Sequence, residues 1–380
     1  MVKFWTKEEV FSNGDQYFDR MLADIDQARS EIFIEIYIFN DDELGTKIAA
    51  HLLEASKRGV KIEVIIDGLG SYTFYHRLGP LFETAGIQVK MYNPLPFYHP
   101  YYGDITYKKK WNMFANRLMR LNIRDHRKIV IIDSRILFTG SFNITSEPTR
   151  FHGTNPWKDM GARVEGAHVK FAVLNFKKIW KLREYSRYKK LLKGTVLPNW
   201  RHSPLRLNNT LYMKRHFYKS FIKKINAAEE NVWLMTPYFI PTRRMIQAMG
   251  KAARRGVDVR ILLSSNPDVN VFKWLQYFYH SYLINKGVKI YHYSFSILHA
   301  KNYIIDDWIT VGSSNLNHRS FLHDLEVDLV IQERENIQIL KNHFCELTPP
   351  EKQITEEIIK HWPFWDRIIS RLFFLFKYWF

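Results

Sequence analysis

"DHRKIVIID" at residues 125–133 and "HAKNYIID" at residues 299–306 carry one pattern, His-x-Lys-x4-Asp, with the same Ile-Ile-Asp ending. Alternate side chains of an extended chain share a face, so His126 and Lys128 point one way, and so do His299 and Lys301. The apolar run behind each pair suits a buried strand. A single copy reads as a core strand with a polar start. Two copies, each followed by a glycine and small polar turn, "GSFN" at 140–143 and "GSSN" at 312–315, mark a duplication.

The repeat extends outward. "RSEIFIEIYIF" (29–39) matches "EENVWLMTPYFI" (229–240), "RGVKIEVIID" (58–67) matches "RGVDVRILLS" (255–264), and "GIQVKMY" (86–92) matches "GVKIYHY" (287–293). The order is strand, helix, strand, helix, strand, motif strand, turn, strand. Such alternation predicts an α/β fold built twice, two α/β/α sandwich halves about a pseudo-twofold with the active site at their interface. The expected division is a first half over 1–185, a linker over 186–210, a second half over 211–348 and a tail over 349–380.

Composition narrows the partner. The chain has 380 residues, 46% hydrophobic, enough for a real core, and a formal net charge of +18 that points to an anionic partner, either nucleic acid or an acidic membrane surface. One cysteine, Cys345, excludes an internal disulfide and a cysteine-based zinc site. No apolar run has the length of a signal peptide or the roughly 18 residues of a spanning helix, so the protein is expected to be neither secreted nor integral. An insert at about 93–120 mixes aromatics with Lys108, Lys109, Lys110 and Arg117, which suits a membrane interface or stacked bases. After Pro363 a helical projection gathers Asp366, Arg367, Ser370, Arg371 and Lys377 on one side and Trp365, Ile368, Ile369, Leu372, Phe373 and Trp379 on the other, as in a helix lying on a membrane.

Two imidazoles, two ammonium groups and two amides around one cleft suit a phosphodiester. A neutral histidine can attack phosphorus while a protonated one donates to the leaving oxygen. Lys128, Lys301, Asn143 and Asn315 would hold the non-bridging oxygens, with the turn serines Ser141 and Ser313 lining the pocket. The scheme calls for no cofactor and no metal, because lysine is a poor ligand and no carboxylate cluster accompanies the histidines.

The paired motifs with their turns resemble the phospholipase D superfamily over roughly residues 10–345, and "HRKIVIIDSRILFTGSFNIT", "GSSNLNHRS" and "LEVDLVI" resemble most closely the bacterial cardiolipin synthases of the short type without N-terminal transmembrane helices. Asn317 departs from the aspartate that many of these carry, and Arg319 with Ser320 echoes their Arg-Ser pair. The resemblance implies a phosphatidyl group carried on histidine, with His126 the nucleophile and His299 the acid that later acts as base. The two motifs are near-equivalent, so the reverse order stays open. It also implies that Glu326 orients His126 and Asp159 orients His299, each across the halves, and it counts Asp133 and Asp306 with the catalytic set, although these read as anchors of the motif strands. Expected partners are anionic phospholipids such as phosphatidylglycerol and the cytoplasmic face of a bacterial inner membrane, without nucleic acid. A phospholipase D hydrolase, or a nuclease on the same scaffold, is the alternative.

Overall fold

The computed structural model describes residues 4–94, 123–181, 200–201 and 203–374. Nearly all of the insert expected at 93–120, much of the linker, and Lys377 and Trp379 of the tail lie outside them.

Two sheets carry the repeat. The first contains β1 (Lys7–Phe11), β2 (Glu31–Ile36), β3 (Lys61–Asp67), β4 (Gln88–Tyr92), β5 (Lys128–Ile132), β6 (Ile136–Gly140) and β7 (Gly161–Glu165), in the order β1-β7-β6-β5-β2-β3-β4. The second contains β8 (Leu205–Leu207), β9 (Asn231–Met235), β10 (Asp258–Ser264), β11 (Lys289–Tyr293), β12 (Asn302–Ile305), β13 (Trp308–Gly312), β14 (Val327–Ile331) and β15 (Gln353–Ile354), in the order β15-β11-β10-β9-β12-β13-β14-β8. Strand for strand the orders coincide, β15 being the one addition. β2, β3 and β4 run parallel with crossover helices, as do β9, β10 and β11. The motif strands turn back antiparallel to their neighbours.

Each half begins earlier than the motifs suggest. β1 and β8 are short edge strands set against β7 and β14. Each is followed by a capped helix, Gly14–Asp26 with Asn13 accepting from the Gln16 amide and Leu211–Ala227 with Thr210 accepting from the Met213 amide. Such caps satisfy amides that the first turn leaves orphaned.

Burial explains the layers. Ile32, Ile34, Val64 and Ile66 face the helices of the first half, and Val232, Leu234, Val259 and Ile261 face those of the second. The other faces share one core, in which Phe33, Ile129, Ile131 and Leu137 of the first sheet and Met235, Ile304, Ile309 and Val311 of the second are all buried. Each such side chain contributes about 1.5–3 kcal/mol on burial. The duplication reaches individual contacts: Phe33 stacks on Phe176 with centroids 4.9 Å apart, and Trp233 stacks on Phe344 at 5.4 Å.

The C-terminal helix, Phe364–Phe374, corrects the sequence projection. Its Asp366 accepts from the Trp274 indole at 3.1 Å, Phe373 stacks on Trp274, and Ser370 is buried. Asp366 and Ser370 of the projected polar side and Phe373 of the apolar side therefore face helix Val271–Ile284, while Arg371 is exposed and Phe364, Trp365 and Leu372 are exposed by 62%, 68% and 57%. Periodicity defines two faces but not which residues find a partner; here a half-buried indole N–H takes Asp366 as its acceptor. No described helix is long and apolar enough to cross a membrane.

Candidate active site

Three antiparallel neighbours bring the chemistry to one sheet edge. The start of β5, the end of β6 and the start of β7 lie side by side, so His126 with Lys128, the Gly140–Asn143 turn and Asp159 meet there. The second half repeats this with His299 and Lys301, Gly312–Asn315 and Glu326. The turn glycines are steric necessities, since a β-carbon at Gly140 would lie 2.4 Å from the Met160 carbonyl oxygen and one at Gly312 2.2 Å from Asp328 Oδ1.

The halves are stitched together at the same edge. Asp125 forms a parallel bridge with Leu325, and Lys158 forms one with Leu298. The His126 amide donates to the Leu325 carbonyl at 3.0 Å, and the His299 amide to the Lys158 carbonyl at 2.8 Å. Each imidazole consequently reaches a carboxylate of the other half: His126 Nδ1 lies 3.0 Å from Glu326 Oε2, and His299 Nδ1 lies 2.8 Å from Asp159 Oδ1. With Nδ1 so engaged, Nε2 is the nitrogen of each ring left to meet a ligand.

The supporting hydroxyls are buried with the carboxylates. Ser141 donates to Asp159. Ser313 and Ser320 donate to the two oxygens of Glu326 at 2.5 and 2.6 Å. The serines are thus held by carboxylates rather than standing free in a phosphate pocket. Asn317 accepts from the Ser320 amide at 3.0 Å, a cap that aspartate would serve equally. The Asn143 and Asn315 side chains are buried, and their amide oxygens have no hydrogen-bond partner among the described residues.

The lysines complete the cleft. Lys128 donates to the His126 carbonyl at 2.8 Å and Lys301 to the His299 carbonyl at 2.6 Å. Burial, with Lys301 opposite, pushes Lys128 down to about 7, and burial takes Lys301 to about 8. His126 is held well below its ordinary value by burial first and then by Lys128 and Lys301, with a contribution from His299. Both motifs therefore act in one electrostatic field. The carboxylates differ: burial pushes Glu326 up to about 7, whereas for Asp159 burial is outweighed by His299, Lys301 and Ser141, which hold it below the usual range.

Asp133 and Asp306 stand apart. They close the far ends of β5 and β12 with φ near +50°, where Asp133 accepts from the amides of Arg29, Ser30 and Glu31 and Asp306 from those of Glu229, Glu230 and Asn231. At about 3.3 Å per residue the intervening strand removes them from the imidazoles. Their partners are backbone amides at the strand ends, the arrangement of an anchor.

Other neighbours gave little sign in the sequence. The Tyr37 ring lies 5.0 Å from His126 and beneath the Lys128 ammonium, and Trp157 lies 6.0 Å from His299. Below His126, the fully buried Arg127 bonds Glu35, Asn209 and the Glu326 carbonyl. The Asn208-Asn209 pair ahead of the Thr210 cap was the available signal for one of these partners, because two amides beside a buried helix start require partners.

The family described as "Cardiolipin synthase, PLD-like domain" matches residues 21–155 and 221–348. Cardiolipin synthase B of Salmonella typhi is 32% identical over 385 residues, covering 97% of this chain and 87% of that one. Cardiolipin synthase B of Escherichia coli strain K12 is 30% identical over 386 residues, with the same coverage. The crystal structure of phosphatidylserine synthase from Haemophilus influenzae shares the fold, with a TM-score of 0.70 at 13% identity over 98% of this chain and 95% of that one. Twin motifs on twin sheets, each histidine served from the opposite half, and a match along nearly the whole chain make this protein a member of the phospholipase D superfamily, within its cardiolipin synthase family of phosphatidyltransferases.

Proposed function

We propose that this protein makes cardiolipin from phosphatidylglycerol through a phosphatidyl group carried on His126. The observation that carries the reading is the crossed pairing of His126 with Glu326 and His299 with Asp159, supported by the cardiolipin synthase relatives.

In the first step Nε2 of neutral His126 attacks phosphorus, the N–P bond forms, and the bond from phosphorus to the glycerol oxygen breaks. His299, protonated at Nε2, gives its proton to that oxygen, and glycerol leaves. In the second step His299 takes the proton of an incoming phosphatidylglycerol hydroxyl, the new P–O bond forms and the N–P bond breaks. Lys128 and Lys301 neutralise the non-bridging oxygens throughout, and the amides of Asn143 and Asn315 donate to them. The two carboxylates suit these roles. A charged Asp159 stabilises an imidazolium at His299, and a Glu326 that protonates near neutrality leaves His126 uncharged. No step runs through a metal.

The reaction is proposed to take place at an anionic membrane surface, on the cytoplasmic face of a bacterial inner membrane. Support comes from the net charge of +18 and from the exposed Phe364, Trp365 and Leu372. The test incubates the full chain with phosphatidylglycerol vesicles and a chelator. Cardiolipin and glycerol in equal amounts, with an acid-labile phosphate adduct trapped on His126, are expected. Phosphatidic acid alone would make the protein a hydrolase, an adduct on His299 would reverse the roles, and turnover of a nucleic acid in place of lipid would make it a nuclease.

A further inference from the structure

The cleft is nearly twofold, and its rim is where the symmetry fails. Phe39 bridges Ile144, next after Asn143, and Phe239 bridges Leu316, next after Asn315. That register matches Ile38 of the first half with Tyr238 of the second. Tyr238 donates its hydroxyl to Asp268 Oδ1 at 2.6 Å, and its ring stacks on Phe272 with centroids 4.0 Å apart. Asp268 lies in the loop between β10 and helix Val271–Ile284. Its charge reaches Lys301, and Tyr238 lies within the electrostatic reach of Tyr37, the ring against His126, and of Arg319.

A carboxylate is the wrong group to meet a phosphate. It repels the anion that Lys128 and Lys301 are there to receive. It is the right group for hydroxyls, from which each oxygen can accept. The stacked, hydrogen-bonded Tyr238 fixes one oxygen of Asp268, and no described residue donates to the other. A phenol oxygen beside it can accept from a second hydroxyl. Neighbouring hydroxyl groups on one small molecule match this arrangement, and a monohydric alcohol matches half of it.

We propose that Tyr238 and Asp268 form a polyol subsite that holds the hydroxyl groups of a glycerol-like acceptor or headgroup while the lysines hold the phosphate. The subsite rests on the phosphatidyl-transfer reading above and adds to it which alcohols are chosen. Among the described residues the first half has Ile38 where the second has Tyr238, so the described sides of the cleft differ although their motif groups are alike.

The experiment is a competition in one tube. The full chain is given phosphatidylglycerol vesicles with equal concentrations of 1,2-propanediol, 1-propanol and ethanolamine, and the phosphatidyl products are quantified by mass spectrometry. The ratio of products does not depend on how much enzyme is folded. The wild type should favour the diol over propanol about tenfold per hydroxyl group, the discrimination that one hydrogen bond to a charged group supplies. Asp268→Ala should bring the ratio close to one, and Tyr238→Phe should lower it part of the way. No diol preference in the wild type, an unchanged ratio in both variants, or ethanolamine ahead of the diol would overturn the subsite. A wild type that makes no phosphatidyl alcohol and no cardiolipin would instead remove the transfer reading itself.

Discussion

His126 finds its orienting carboxylate, Glu326, 200 residues away in the other half, 3.0 Å from Nδ1. Neither half holds a complete histidine site, since Asp159 of the first half serves His299 of the second. Glu326→Gln and Asp159→Asn keep the shape but offer an amide where a carboxylate fixed the tautomer. Each should lower kcat by about two to four orders of magnitude with circular dichroism unchanged. A loss under tenfold in both would remove these residues from the mechanism.

The pH profile follows from the buried lysines. A lysine holds phosphate only while protonated, so this contribution is present at low pH and is lost as pH rises through the values near 7 for Lys128 and 8 for Lys301. kcat/KM for phosphatidylglycerol should therefore fall above about pH 7–8. The limb in kcat should lie higher, because bound phosphate favours the charged amines. On the acid side, His126 is held neutral below the usual histidine range, so activity should persist below pH 6.

The motif aspartates should report on stability rather than on chemistry. Asp133→Ala removes an acceptor shared by three backbone amides and leaves a residue with φ near +50°. A cost of about 2–3 kcal/mol is expected, and Asp133→Asn should cost less, since asparagine tolerates that conformation and still accepts. Asp306→Ala should behave alike. Thermal unfolding measures the loss, and kcat per folded molecule should stay within a few-fold of wild type.

Arg127 ties the halves beneath the site. Its Nε donates to the Glu326 carbonyl at 3.1 Å and its Nη1 to the fully buried Glu35 at 3.1 Å. Arg127→Met takes the guanidinium from the buried Glu35 and Asp125 carboxyls, which lie against each other, and destabilisation of about 3–5 kcal/mol is expected. Glu35→Gln in the same chain cannot restore the lost guanidinium but removes one of the two carboxyls left facing each other, so the double variant should regain part of the loss in chemical denaturation.

The C-terminal helix should matter for vesicles more than for stability. Trp365→Ser with Leu372→Ser removes exposed side chains from the outward face of Phe364–Phe374. Sedimentation with anionic vesicles should weaken several-fold, while the melting temperature moves by no more than a degree or two. Unchanged sedimentation would remove this helix from membrane binding.

How far the sequence could be read depended on whether a signal was local. The motif strands and their turns lie in short segments whose residue types are chemically unusual, so their alignment was legible, whereas the crossed pairing of Glu326 and Asp159 came only from the resemblance to the phospholipase D superfamily. β1 and β8 were not, because strands of five and three residues at a sheet edge carry almost no periodicity. Tyr37 was hidden just past β2 in the same apolar run, where nothing local marks the residue that leaves the core for the cleft. The facing of Asp366 was decided by Trp274, 92 residues away, which a helical projection does not contain.

The bridges from Asp125 to Leu325 and from Lys158 to Leu298 also set when the enzyme becomes competent during its synthesis. A ribosome that has released only the first half has made His126 without Glu326 and Asp159 without His299. On the proposed mechanism the growing chain therefore lacks a complete histidine site until the second half has emerged and docked.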